Sequence, residues 1–160
     1  MTNFAPIVPD GSVPVFGACR PGHLGNSLDE WATTLDAAGV ESVLCLLSNS
    51  EATRWGLPDA YADRFETAHI PIRDRHLPAE STLERALSVI EAADVNGQRA
   101  ALHCNAGLGR TGVVAAAWLS RHRGYDPMAA IETVEAAGRA PREAVVCGNA
   151  TEAALLELLE

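Results

Sequence analysis

At 160 residues, 48% of them hydrophobic, the chain can bury one core of ordinary size. One domain is therefore expected over residues 13–160, preceded by an extended lead-in over residues 1–12 that carries Pro6, Pro9 and Gly11. A net charge of −9, with arginine supplying all twelve basic residues, argues against nonspecific binding to nucleic acid or to an anionic membrane.

The first apolar run of strand length is 13–16. Residues 27–30, Ser-Leu-Asp-Glu, read as a capping box that opens a helix closed by Gly39. Further strands are expected over 42–47, 67–72 and 99–103. Between the last two, residues 81–84, Ser-Thr-Leu-Glu, read as a second capping box, opening a helix that runs to Asn96-Gly97. A helix over 111–122 follows. Asp126-Pro127 then gives a cap with proline at the first helical position, and Gly138 a stop. Asn149-Ala150-Thr151-Glu152 reads as the cap of a last helix. Strands alternating with helices predict an α/β domain: a mainly parallel central sheet of about four to five strands flanked by helices. Ligands bind such sheets beyond the carboxyl ends of the strands. Trp31, Trp55 and Trp118 sit at helical spacings and read as packing residues. Cysteines 19, 45, 104 and 147 form no C-x-x-C pair and no zinc-type cluster. The N-terminus lacks a basic, apolar leader, and no run of about 18 apolar residues occurs. Reduced thiols, no metal and a cytoplasmic location are the expectation.

Cys104 falls at the end of the strand over 99–103 and leads into Asn105, Ala106, Gly107, Leu108 and Gly109, with Arg110 at the mouth of the next helix. Glycines in such a loop let successive N–H groups converge, and the helix adds its own free N–H groups and positive dipole end. An anion cradle results. Arg110 can offer a planar fork of donors to two oxygens of a phosphoryl group, which lysine could not. The positive potential in the cradle favours the thiolate of Cys104 over the thiol. The same donors would stabilise the oxygens of a phosphoryl group in transfer.

The segment over 103–112, His-Cys-x-Ala-Gly-x-Gly-Arg-Thr-Gly, resembles the signature loop of the protein tyrosine phosphatase superfamily. Its place in the C-terminal half resembles the small dual-specificity-like members. Looser echoes occur at 18–22, 38–46 and 139–142, so the resemblance can extend over residues 13–160. It implies a two-step, metal-independent and cofactor-free reaction: Cys104 forms a phosphocysteine, which water hydrolyses. In the family an aspartic acid about thirty residues before the cysteine supplies the leaving-group proton, and Asp74 stands at that place, after an expected strand and before Pro78. The resemblance further gives Thr111 the role of easing thiolate departure, with a plain helix cap as the alternative, and makes His103 a supporting brace rather than a base. Residues 105–110 would bind the phosphate.

Asn149 stands near the place of a family glutamine that positions water, but is read here first as a helix cap. Arg139 and Arg142 are read as solvated loop charges, with the pocket rim as the alternative. Cys45 and Cys147 are read as passive core cysteines rather than resolving thiols. No charge lies between Cys104 and Arg110, which favours a singly phosphorylated group. A phosphorylated protein, at tyrosine or at serine/threonine, is the leading substrate. A small phosphomonoester, a non-catalytic phosphoresidue-binding module and an arsenate-reductase-type enzyme are the alternatives. Nothing in the sequence speaks to oligomeric state.

Overall fold

The computed structural model describes residues 2–160. In chain order its elements are β1 (Ala5–Pro6), β2 (Val15–Ala18), α1 (Leu28–Ala37), β3 (Val40–Cys45), α2 (Asn49–Trp55), β4 (Glu66–His69), α3 (Glu80–Val95), β5 (Arg99–His103), α4 (Gly109–His122), α5 (Pro127–Ala136), α6 (Glu143–Val146) and α7 (Glu152–Leu159). The strands form one sheet in the order β1-β2-β5-β3-β4. Pairing is parallel except at β1, a two-residue edge strand antiparallel to β2.

The centre of this sheet is β5. Because successive side chains of a strand point to opposite faces, Leu102 and Cys104 join one core while Ala101 faces the other. The first core packs α3, α4, α5 and α7 onto the sheet, and the second is built on Trp31, Leu35, Tyr61 and Phe65. Every residue of α4 from Gly109 to Leu119 is buried. A helix with no solvated face needs no charged stripe, which is why 111–120 carries none.

The expected caps hold in part. Ser27 accepts from the Glu30 N–H, and Asp126 from Met128 with Pro127 behind it. The box expected at 81–84 does not form. α3 starts at Glu80 after an extended Ala79 and has no side-chain cap, so Ser81 lies within its first turn. The complete capping box stands instead at Ser48 and Glu51, on α2, a helix the apolar periodicity left unmarked because it is only two turns long. For α7 the cap is Thr151, which accepts from Ala154, and not Asn149. Trp31 and Trp118 are core residues as expected, but Trp55 is only half-buried, and Cys147 is exposed rather than in the core.

Candidate active site

The turn from β5 into α4 carries Cys104 to Arg110, and its shape follows from where its carbonyls point. The Asn105 carbonyl accepts from Arg20 N–H at 2.9 Å, and that of Leu108 from Ala140 N–H at 3.0 Å. The Ala106 carbonyl accepts from Asn3 Nδ2 at 2.8 Å, and that of Gly107 from Arg139 Nη1 at 2.7 Å. With four consecutive carbonyls turned outward, the N–H groups of 105–108, which have no acceptor among the described residues, are left to the concave side. Gly107 is required by contact as well as conformation. Its φ is +75°, and a Cβ there would lie 2.4 Å from the Ala18 carbonyl.

A pocket of about 80 Å³ opens on that concave side, lined by Cys104, Asn105, Ala106, Leu108, Gly109 and Arg110 of the loop and by Asp74, Arg75 and Glu143 from elsewhere. The structure thus gathers Cys104, Arg110 and Asp74 in one cavity. Thr111 donates its hydroxyl to Cys104 Sγ at 3.2 Å. Arg110, 2% exposed, is clamped by both oxygens of Glu51 at 2.6 and 3.0 Å, donates to the Ile72 carbonyl at 3.0 Å, and lies 3.1 Å from Asp74 Oδ1. Burial alone would raise the Glu51 carboxyl, but hydrogen bonds from Arg110 and Ser48 overcome it and hold the pKa at about 2. For Arg110, burial pulls the other way, and the Glu51 bond outweighs it, raising the guanidinium above its ordinary value.

His103 lies beneath the loop and is fully buried. Its Nδ1 is 3.0 Å from the Cys104 carbonyl, which can only accept, so Nδ1 carries the hydrogen and Nε2 accepts from the Tyr61 hydroxyl at 2.6 Å. Burial pushes its pKa down to about 4, so the ring is neutral and its tautomer fixed.

Several residues stand where sequence reasoning did not put them. Arg139 is neither solvated nor on the rim. It is 5% exposed and donates to the carbonyls of Gly107, Gly17 and Asn3 at 2.7, 3.0 and 2.6 Å, because a loop with outward carbonyls needs donors beneath it. Arg142 does stay at the surface, paired with Glu135 and Glu152. Asn149 donates through Nδ2 to the Arg75 carbonyl at 2.9 Å, tying down the loop that carries Asp74. Glu51 and Glu143 were missed altogether. For Glu51, the Ser48-x-x-Glu51 pattern marked a helix start, yet nothing in sequence links it to Arg110, 59 residues away.

No group of His, Cys, Asp and Glu suited to hold a metal ion occurs among the described residues, and no helix there is long and apolar enough to cross a membrane. No curated protein matches the chain. Among solved structures, Tk-PTP in the active form is 27% identical, with 89% of this chain and 91% of that one covered and a TM-score of 0.68. A mutant form of Tk-PTP is 29% identical over 91% of this chain and 86% of that one, at 0.67. Human DUSP28, 20% identical over 99% of this chain and 93% of that one at a TM-score of 0.70, shares the fold. The family profile described as "Polymorphic toxin system, DSP-PTPase phosphatase" (Tc-R-P) matches residues 16–124, a span that runs from within β2 to just past α4 and holds Asp74, Cys104 and Arg110. The chain belongs to this family, and so to the small dual-specificity-like branch of the cysteine-based protein tyrosine phosphatase superfamily.

Proposed function

We propose that the chain hydrolyses phosphomonoesters on proteins through a phosphocysteine, without a metal. The observation that carries this reading is the convergence of Cys104, Arg110 and Asp74 on one cavity floored by unused N–H groups. In the first step the Cys104 thiolate attacks phosphorus, the ester P–O bond breaks, and the Asp74 carboxyl gives its proton to the departing oxygen. In the second, water attacks the phosphocysteine and loses a proton to the Asp74 carboxylate. The P–S bond breaks, and the thiolate leaves toward the Thr111 hydroxyl, 3.2 Å from Sγ. The N–H groups of 105–109 and the Arg110 fork hold the three phosphoryl oxygens as charge redistributes over them. A phosphate on Arg110 would replace Asp74 as its partner, freeing that carboxyl for the proton transfer. His103 positions the loop and takes no proton. The pocket is small and the loop interior between Cys104 and Arg110 uncharged, which supports a single phosphoryl group, read here as one carried by a protein at tyrosine or at serine/threonine.

The test is hydrolysis of an aryl phosphate in EDTA by wild type, Cys104→Ser and Asp74→Asn. Wild type should turn over and Cys104→Ser should not. Asp74→Asn should lose more rate on esters with poor leaving groups than on those with good ones. Full activity of Cys104→Ser would overturn the mechanism. An inactive wild type that still binds phosphopeptide would favour a non-catalytic binding module.

A further inference from the structure

The chain carries 21 acidic residues against twelve arginines, so a surface arginine has carboxylates in plenty to pair with. Arg64, Arg121, Arg123 and Arg142 all do so, and all lie away from the pocket. Among the described residues no carboxylate comes within ion-pair distance of Arg20, Arg54, Arg73 or Arg75, nor of Arg85 and Arg99 farther off, although Asp74 and Glu143 line the pocket beside Arg75.

Two of these are held in place. Arg20 donates through Nε to Asn105 Oδ1 at 2.9 Å, immediately after Cys104, and through Nη1 to the Pro21 carbonyl at 3.0 Å. Its guanidinium stacks 3.7 Å over the Trp55 ring. Nη2 has no acceptor among the described residues. Arg75 sits at the other end of the loop, in the pocket wall beside Gly109. Asp74 and Arg75 sit in a turn closed by the His76 N–H on the Arg73 carbonyl at 3.2 Å, and both line the cavity. They can because Arg75 has φ +60°, a left-handed conformation that a non-glycine residue adopts at a cost of about 1 kcal/mol, with its carbonyl secured by Asn149. That backbone turn brings a second cation to the pocket.

We propose that this active site selects phosphoresidues flanked by acidic residues in an extended peptide, with Arg20 and Arg75 receiving carboxylates on the two sides of the phosphate. The loop interior supplies no charge for a second anion; these two arginines supply it from outside. The observations favour a peptide over a polyphosphorylated small molecule. The cavity, about 80 Å³, has little room beyond the phosphate, while the free arginines stand at opposite ends of the loop, as an extended chain crossing the mouth requires. This inference rests on the phosphoester reading of the same site.

The test compares kcat/KM on two phosphopeptides identical except that glutamates on both sides of the phosphoresidue are glutamine in one. Solvent-exposed ion pairs contribute about 0.2–1 kcal/mol each, so with two of them wild type should prefer the acidic peptide by about two- to thirtyfold. Arg20→Gln and Arg75→Gln should each bring the ratio toward one, at constant phosphate chemistry within each protein. Arg85→Gln, the same charge change on the exposed face of α3, should leave it unmoved. A wild-type ratio of one, or an equal loss in Arg85→Gln, would overturn the inference, as would a higher kcat/KM on an inositol polyphosphate than on the acidic peptide. Anisotropy titration of labelled peptides with the Cys104→Ser protein separates the two readings. Acidic preference in binding without wild-type turnover would sink the enzymatic reading and keep this one; turnover without acidic preference would do the reverse.

Discussion

Two buried arginines flank the signature loop, and they do different things with the same guanidinium. On the concave side Arg110 has two carboxylates, Glu51 and Asp74, and one face on the pocket. On the underside Arg139 has three carbonyl oxygens and, among the described residues, no carboxylate. Their charge states follow. Burial pulls Arg139 below its ordinary value, with no carboxylate to offset it, whereas Glu51 lifts Arg110 above. A buried cation facing anions is poised to exchange one anion for another; a buried cation facing backbone is part of the scaffold.

That contrast can be broken in measurable ways. The largest effect belongs to Arg110→Lys, which keeps the charge and loses the fork. Its kcat/KM on an aryl phosphate should fall on the order of 10²–10³-fold. Arg139→Met should act first on stability, removing about 3 kcal/mol in urea unfolding, because three buried carbonyls lose their donor. An Arg139→Met protein of wild-type stability would erase the distinction. The neutral His103 gives the underside its own signature. Its pKa falls from an ordinary 6.5 when unfolded to about 4 when folded, so the unfolded chain binds the extra proton between those values. Stability should therefore decline as pH falls through that window, by roughly 2 kcal/mol from pH 7 to pH 5. The slope should shrink in His103→Gln. The smallest effect is expected for Asn149→Ala, which frees the Arg75 carbonyl. Unfolding should shift by about 0.5–1 kcal/mol and kcat should fall a few-fold, read by denaturation and by steady-state rates.

The concave side was the more legible in sequence, and the reason is physical. Cys104, the glycines, Arg110 and Thr111 lie on one continuous strand, loop and helix, so local geometry determines their relation. Asp74 could be placed only through the resemblance. The underside is assembled from Asn3, Gly17, Tyr61 and Arg139, brought together by the sheet, and its bonds end mainly on backbone carbonyls, which every residue possesses. A side chain whose target is generic backbone has no sequence partner to betray it, so Arg139 read as a solvated charge. Asn149 misled for a related reason: Asn-x-x-Glu is a true capping pattern, but Thr151 took the cap and left Asn149 to hold the Asp74 loop. Four of the five strands lie within a few residues of their expected bounds. Of these, β2, β3 and β5 are buried along most of their length and so read as apolar runs, whereas β4 is more exposed. The two-residue β1 falls in the lead-in, outside every expected strand.

The capping box of α2 has a mechanical consequence. Glu51 Oε1 accepts both from the Ser48 N–H and from Arg110, so one oxygen caps the helix start and grips the phosphate-facing arginine. Any tug on Arg110 is thereby transmitted to the start of a two-turn lever whose far end is Trp55, itself in contact with Arg20. The indole is thus a built-in reporter. Its fluorescence should change as orthovanadate or phosphate fills the pocket, and Glu51→Gln should uncouple the optical signal from occupancy.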